Sequence, residues 1–290
     1  MFGFISFFVQ RNIKTGNIRL PFCSISSILF TSINTMFDLP IFRKDFRIKI
    51  LDTRFDLQAS FPAMAGYMQE TALHHVEALE MGMRKLQSMK ITWFLTRIKI
   101  QVFHYPVWND HIHVATWSPK IDRLYAHREF TITDESERII AISSSKYILF
   151  DLTKNRPLPT QSILGDYNRF DEKRNFPELP GKLFLKEDKS KSGSIRVEPD
   201  HIDANHHANN VHYISWIINS IPVEFQTEYL PETFDIYYMG SGRLYDLLDV
   251  YGSKKIHTEN GKIKTEHCIK NSADGAELIR VSITWSPGNI

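Results

Sequence analysis

The spacing of apolar positions divides the chain into two passages with the same order of elements. From Phe46 the run RIKILDTRFDLQ alternates in the manner of a strand. FPAMAGYMQETALHHVEALEMGMRKLQ then changes to helical spacing, with Met64, Met68, Ala72, Val76, Leu79, Met83 and Leu86 on one stripe. WFLTRIKIQVF, HIHVATWS, HREFTITD and RIIAISSSKYILFD follow, rich in β-branched and aromatic residues and bounded by turn signals such as Tyr105-Pro106, Asn109-Asp110 and Ser118-Pro119. After residue 192 the order restarts. SIRVEP reads as a strand, and Val211, Ile214, Ile217, Ile218 and Ile221 form a second helical stripe. TFDIYYMG, DLLDVYGSKKI, GKIKTEHCIKN and ELIRVSITW read as four more strands. A weak internal repeat of strand, helix and several strands predicts an α+β chain of two similar domains. Each would be a helix wrapped by its own antiparallel sheet.

These patterns place an N-terminal domain at 36–152 and a C-terminal domain at 193–290. Between them, 153–192 reads as a crossover linker, marked by Pro157, Pro159, Pro177, Pro180 and the charged run FLKEDKSKSG. Residues 1–35 differ from everything after them: they contain no Asp or Glu and carry Arg11, Lys14 and Arg19 among Ser, Ile and Phe. The segment reads as an organelle transit peptide or as an over-long start with Met36 the true beginning. Its longest apolar run, Phe2 to Val9, falls far short of the roughly 20 residues that span a bilayer. No stable membrane insertion is expected, and the location expected is cytoplasmic, or plastid-type if the leader is a real transit peptide.

Composition narrows the function classes. A hydrophobic share of 42% with 23% charged residues is ample for a core, and a net charge of +2 points to no nucleic-acid partner. Two cysteines, Cys23 and Cys268, support neither a disulfide framework nor a Cys-rich metal site. His74 and His75 are adjacent on a helix and diverge, while His111 and His113 lack paired ligands, so no metal or other cofactor is expected. The chain also lacks a P-loop and a Gly-x-Ser-x-Gly elbow.

The chemistry concentrates in DHIDANHHANNVHYISWIINSIP, residues 200–222, where a polar cluster directly precedes the second helical stripe. Asp203, Asn205 and His207 alternate, so an extended segment would project all three side chains from one edge, with His206 pointing the other way. His207 suits proton transfer near neutral pH. Asn205 can position water or substrate, and Asp203 can orient its neighbours. Asn209 and Asn210 are good N-cap residues, and a helix starting there presents backbone N–H groups and a positive dipole end to a developing oxyanion. Taken singly, each residue also has a structural reading, because Asp and Asn before a helix are common caps and turn formers. The Met stripe reads as core, with Met64 and Met68 also suited to lining a pocket for a long apolar ligand.

The run N-x-H-x-N-N-x-x-Y, here Asn205, His207, Asn209, Asn210 and Tyr213, resembles the acyl-acyl carrier protein thioesterases of the plant FatA/FatB and bacterial type. QETALHHV (Gln69 to Val76) resembles that family's first helix, Trp93 to Trp117 its first-domain strands, and ANNVHYISWIINSIP its second helix. The resemblance covers most of residues 40–285 in the right order. It implies a tandem (double) hot-dog fold, with the acyl-chain pocket in the first domain and the catalytic Asp203, Asn205 and His207 in the second. It implies hydrolysis of acyl-acyl carrier protein to free fatty acid in fatty acid biosynthesis, with substrate contacts at Met64, Met68, Asn209 and Asn210. The implied carrier partner is acidic, and Arg43, Lys44, Arg47, Lys49 and Arg54, or Arg84 with Lys85, are candidate docking charges. A tandem pair is compatible with a monomer or a homodimer.

One departure stands out. The family carries a further carboxylate, commonly Glu followed by Cys, about thirty residues after the motif His, and that region here reads YYMGSGRLYD, with Gly240 and Ser241 at the corresponding places. Either His207 alone acts as base, or Asp203 substitutes, or the hydrolase is weakened. The missing carboxylate motivates one alternative, a catalytically weak acyl-chain binding protein; the other is an acyl-CoA thioesterase, because the pantetheine arm is common to both substrates.

Overall fold

The computed structural model describes residues 41–164, 173–177, 179, 181–186, 188–253, 256–257 and 262–288. The leader expected at 1–35 lies outside the described residues. The first half contains β1 (Phe42–Arg47), a 3-10 turn (Ile50–Asp52), α1 (Phe61–Ala78), α2 (Met83–Ser88), β2 (Ile91–Val102), β3 (His111–Trp117), β4 (Tyr125–Asp134) and β5 (Ile139–Asp151). The short β6 (Arg156–Pro157) and α3 (Thr160–Leu164) follow. The second half contains β7 (Lys189–Arg196), a 3-10 turn (Pro199–His201), α4 (Asn210–Asn219), α5 (Val223–Glu228), β8 (Tyr229–Tyr238), β9 (Leu247–Ser253), β10 (Ile256–His257), β11 (Ile263–Asn271) and β12 (Glu277–Pro287).

The strands run in the order β1-β3-β4-β5-β2-β8-β12-β11-β9-β7, with β6 on β5 and β10 on β11. Read inward from either edge, both halves place their main strands first, third, fourth, fifth, second. The repeat legible in the sequence is thus a repeat of topology, a tandem hot-dog. The halves meet where β2 pairs antiparallel with β8, Ile98 opposite Ile236 and Ile100 opposite Phe234. The expected tandem of helix-wrapping sheets is thus present, with the sheets of the two units joined edge to edge. With β2 and β8 hydrogen-bonded, the sheet is continuous and both helices bury their apolar stripes in one core. Phe61 at the start of α1 packs on Phe234 of β8, with ring centroids 4.2 Å apart.

Two local expectations shift. The first strand lies earlier than the alternating run from Phe46 suggested, because Ile50–Asp52 winds into a 3-10 turn. The first helical stripe breaks before Met83. Met81 N–H donates to Val76 O (2.8 Å) and Glu80 N–H to Glu77 O (3.0 Å), a Schellman closure with Glu80 at φ +52°. Met83 is consequently exposed.

Between α3 and β7, two described residues, Asn175 and Lys186, are held at register-equivalent carboxylates of the sheet. Glu129 Oε2 accepts from Asn175 N–H (3.0 Å) and Glu266 Oε2 from Lys186 N–H (2.7 Å). Glu129 sits opposite Ser144 on β5, and Glu266 opposite Ser282 on β12. Both glutamates are buried. Burial pushes Glu129 up to about 7, against the hydroxyl of Ser144 and the Asn175 amide, which favour its charged form.

Candidate active site

The polar cluster is a tight loop between the 3-10 turn and α4. Glu198 N–H donates to His201 Nδ1 (3.0 Å), closing the turn, and Ile202 then bridges to Ala208. Inside that bridge Asp203 N–H donates to His207 O (2.8 Å) and His206 N–H to Asp203 O (3.0 Å), with His206 in the left-handed region at φ +61°. Asp203, Asn205 and His207 therefore do not form the extended row expected from their alternation. The Asp203 carboxylate folds inward, its Oδ1 accepting from Asn205 N–H (2.8 Å) and His207 N–H (3.4 Å). It holds the loop in shape, as Asx side chains do in turns. His206 points to solvent.

The loop is anchored from behind. Ala208 N–H donates to Gly242 O (2.9 Å), and Gly242 N–H donates to the Tyr213 hydroxyl (2.6 Å). A Cβ at Gly242 would lie 3.1 Å from Leu248 Cδ1 and 3.3 Å from Val197 Cγ2, so glycine permits this approach. Asn209 is the N-cap of α4, its Oδ1 accepting from Val211 N–H (3.0 Å). Asn210 is the first helical residue, and Tyr238 donates its hydroxyl to Asn210 O (3.1 Å).

Residues of the first half complete the site. Thr92 on β2, itself buried, donates its hydroxyl to Asn205 Oδ1 (2.9 Å). Gln87 Nε2 donates to Ala204 O (3.1 Å), and the Phe94 ring lies 5.9 Å from the His207 ring, centroid to centroid. With Oδ1 held by Thr92, the Asn205 amide keeps its Nδ2 hydrogens for a substrate oxygen. Sequence reasoning missed Thr92, Gln87 and Phe94. Thr92 and Phe94 read as ordinary strand residues, and nothing local marks a partner more than a hundred positions away. Met64 and Met68 are both fully buried on the inner face of α1, within the common core.

Desolvation holds His207 below the usual histidine value. Asp203 opposes that shift, while Arg243 and His206 add to it. The imidazole is thus neutral near pH 7 and able to accept a proton. Its Nδ1 is buried without a hydrogen-bond partner among the described residues. Such an orphan costs about 1–3 kcal/mol and marks a group awaiting water or substrate. Around Gly240 and Ser241 the chain is held by backbone bonds to β12, Met239 N–H and Gly240 N–H both donating to Leu278 O (2.8 and 3.1 Å). Among the described residues no carboxylate hydrogen-bonds to the His207 ring, and no group of three or more His, Cys, Asp or Glu is arranged to hold a metal ion.

Comparison with known proteins is decided by two matches in tandem. The model of the acyl-ACP thioesterase N-terminal domain matches residues 40–166, and that of the acyl-ACP thioesterase C-terminal domain matches residues 185–287. The chain belongs to the acyl-ACP thioesterase family. It is 24% identical over 284 residues to the oleoyl-acyl carrier protein thioesterase of Coriandrum sativum, covering 84% of this chain and 76% of that protein. It is 27% identical over 265 residues to the palmitoyl-acyl carrier protein thioesterase of Arabidopsis thaliana, covering 85% of this chain and 64% of that protein. Both relatives are chloroplastic. The fold is similar to that of an acyl-ACP thioesterase from Bacteroides thetaiotaomicron, with TM-score 0.72 at 19% identity over 88% of this chain and 99% of that one. An oleoyl thioesterase from Lactobacillus plantarum gives TM-score 0.76 at 19% identity, over 85% and 96%.

Proposed function

We propose that the chain hydrolyses acyl-acyl carrier protein thioesters to free fatty acid, using the loop from Asp203 to His207 and the β2 residues packed on it. The observation that carries this reading is the pairing of a neutral, desolvated imidazole with an asparagine whose amide is fixed by Thr92. His207 takes a proton from a water as that water attacks the thioester carbonyl carbon. Asn205 Nδ2 donates to the oxygen that becomes negative in the tetrahedral intermediate, and the positive end of α4 favours the same charge. Collapse of the intermediate breaks the carbon–sulfur bond, and the imidazolium returns its proton to the departing thiolate. Asp203 is a positioning residue, because its carboxylate is committed to the loop amides. The base role falls to His207.

Family membership supports the acyl carrier protein as the substrate's carrier. Met64 and Met68 are proposed for the wall of the acyl pocket, and Asn209 and Asn210 for the helix end facing the thioester. The proposed location is cytoplasmic. No helix among the described residues is long and apolar enough to cross a membrane. The unpartnered His207 Nδ1 favours one second reading, a binding protein with little turnover. Thiol release from matched palmitoyl-acyl carrier protein and palmitoyl-CoA tests these assignments. Faster turnover of the carrier-protein substrate is expected. Preference for the CoA substrate would overturn the carrier assignment, and binding without thiol release would overturn hydrolysis.

A further inference from the structure

The two halves differ beneath the C-terminal ends of their helices. Strand register places Arg128, Phe130 and Thr116 of the first half where the second has Thr265, His267 and Gly252. Thr116 pairs with Phe130 as Gly252 pairs with His267, and Arg128 pairs with Ser145 on β5 as Thr265 pairs with Ile283 on β12. In the first half this space is filled. The Arg128 guanidinium donates to Thr116 Oγ1 (3.1 Å) and lies 2.9 Å from His75 Nδ1, on the last turn of an 18-residue helix. In the second half α4 stops after 10 residues, and threonine and glycine stand in place of arginine and threonine. A cavity of about 400 Å³ remains between the α4–α5 turn and strands β7, β9 and β11. That volume falls within the range of small-molecule sites.

His267 forms part of the wall, 4% exposed. The indole Nε1–H of Trp285, which can only donate, gives its hydrogen bond to Thr265 Oγ1 (2.8 Å), and Thr265 Oγ1 lies 2.9 Å from His267 Nε2. With its oxygen accepting from the indole, the threonine hydroxyl is free to turn its own proton to Nε2. That arrangement goes with the Nδ1–H tautomer of His267. Burial pushes the ring down to about 4, so it stays neutral. Nδ1 is buried with no hydrogen-bond partner among the described residues. A Cβ on Gly252 would lie 3.2 Å from Nδ1, so the glycine keeps open the space in front of it. Ser192 and Ser220 add hydroxyls, Ile221 adds an apolar wall, and the exposed Glu224 and Glu228 line the rim. An unsatisfied N–H asks for an acceptor oxygen and repels a cation, while the rim carboxylates disfavour an anion.

We infer that this cavity is a second ligand site for a neutral small molecule bearing hydroxyl or carbonyl oxygens, one of which accepts the His267 Nδ1–H. It lies at the opposite end of α4 from the hydrolytic loop, roughly 15 Å away along the helix, and does not depend on the hydrolytic assignment. The test is a titration of the full chain, labelled with ¹⁵N-histidine, with glycerol and with myo-inositol. The expected result is a saturable shift of the His267 Nδ1–H resonance with at least one of them. Gly252→Thr, which installs the first half's residue, should weaken that binding by at least about tenfold while acyl-acyl carrier protein hydrolysis stays within about twofold. His267→Phe, the first half's other residue, should abolish ligand-observed saturation transfer and covers the case in which Gly252→Thr fails to fold. Absence of saturable binding by both probes, or equal binding by wild type and the folded variants, would overturn the inference.

Discussion

Two loops of this molecule share one backbone and differ in what they present. In the first half Thr53 bridges to Ala59, Arg54 N–H donates to Gln58 O (2.8 Å) and Leu57, at φ +63°, donates its N–H to Arg54 O (3.1 Å). In the second half Ile202, Ala208, Asp203, His207 and His206 repeat each of these features. Both loops follow a 3-10 turn and end in a helix N-cap, Ser60 in one and Asn209 in the other. Each also reaches across the join, Arg54 Nη2 donating to Gln226 O (2.8 Å) while Ala204 O accepts from Gln87. Yet Gln58 stands where His207 does, with its Oε1 buried and unpartnered like the imidazole Nδ1. Duplication built two sockets of one shape. The proposed chemistry uses the one whose side chains can carry a proton, so a fold supplies a place for a site and the residues decide its use.

The comparison breaks most sharply if the wrong loop matters. His207→Ala should lower kcat by about 10²–10⁴-fold, the usual worth of a general base, whereas Gln58→Ala should leave kcat within about twofold. Steady-state thiol release from an acyl-acyl carrier protein measures both, and equal losses would show that the loops share the chemistry. Next in size, Asn205→Ala should cost about 10²–10³-fold in kcat, as loss of an oxyanion donor does. Thr92→Val should lose about tenfold, since the amide keeps its donors but not its orientation, and Thr92→Ser should restore most of the rate. A Thr92→Val enzyme as fast as wild type would remove the first half from the site.

The two register-equivalent carboxylates offer a comparison of stability rather than rate. The carboxyl of Glu129 is raised above its unfolded value, so its contribution to stability is full at acid pH and is lost as pH rises from about 4.5 through about 7. Glu129→Gln should remove that loss. At pH 8 the variant should gain up to roughly 3 kcal/mol in urea unfolding, a ceiling set by the span from 4.5 to about 7, with little change at pH 4 and unchanged hydrolysis at pH 7.

The smallest expected effect concerns the absent carboxylate. Because desolvation lowers the His207 pKa, kcat/KM should rise with pH through an apparent value below 6.5 and be flat at neutrality. Gly240→Glu would restore a carboxylate at the place expected from the family resemblance, crowding the end of Leu278, whose Cδ2 lies 3.0 Å from the built Cβ. The acid limb of the pH profile should then move to higher pH, with kcat up several-fold. An unmoved limb would mean that the new carboxylate does not reach His207.

Much of this molecule is readable without coordinates. The strand and helix periods on either side of residues 153–192 specify the tandem architecture, since burying one face of each element leaves few arrangements. The cluster from Asp203 to Tyr213 is legible too, because its cap, turn and imidazole are local in the chain. What the sequence did not determine is direction and company. Alternation suggested that Asp203, Asn205 and His207 project together, but one bridge between Ile202 and Ala208 curls the segment and turns Asp203 onto its own amides. The pairing of β2 with β8 brings Thr92 and Phe94 to the loop and joins the two units in one core. Those contacts depend on how two sheets meet, a choice made by packing energy summed over the whole interface, and no residue carries it alone.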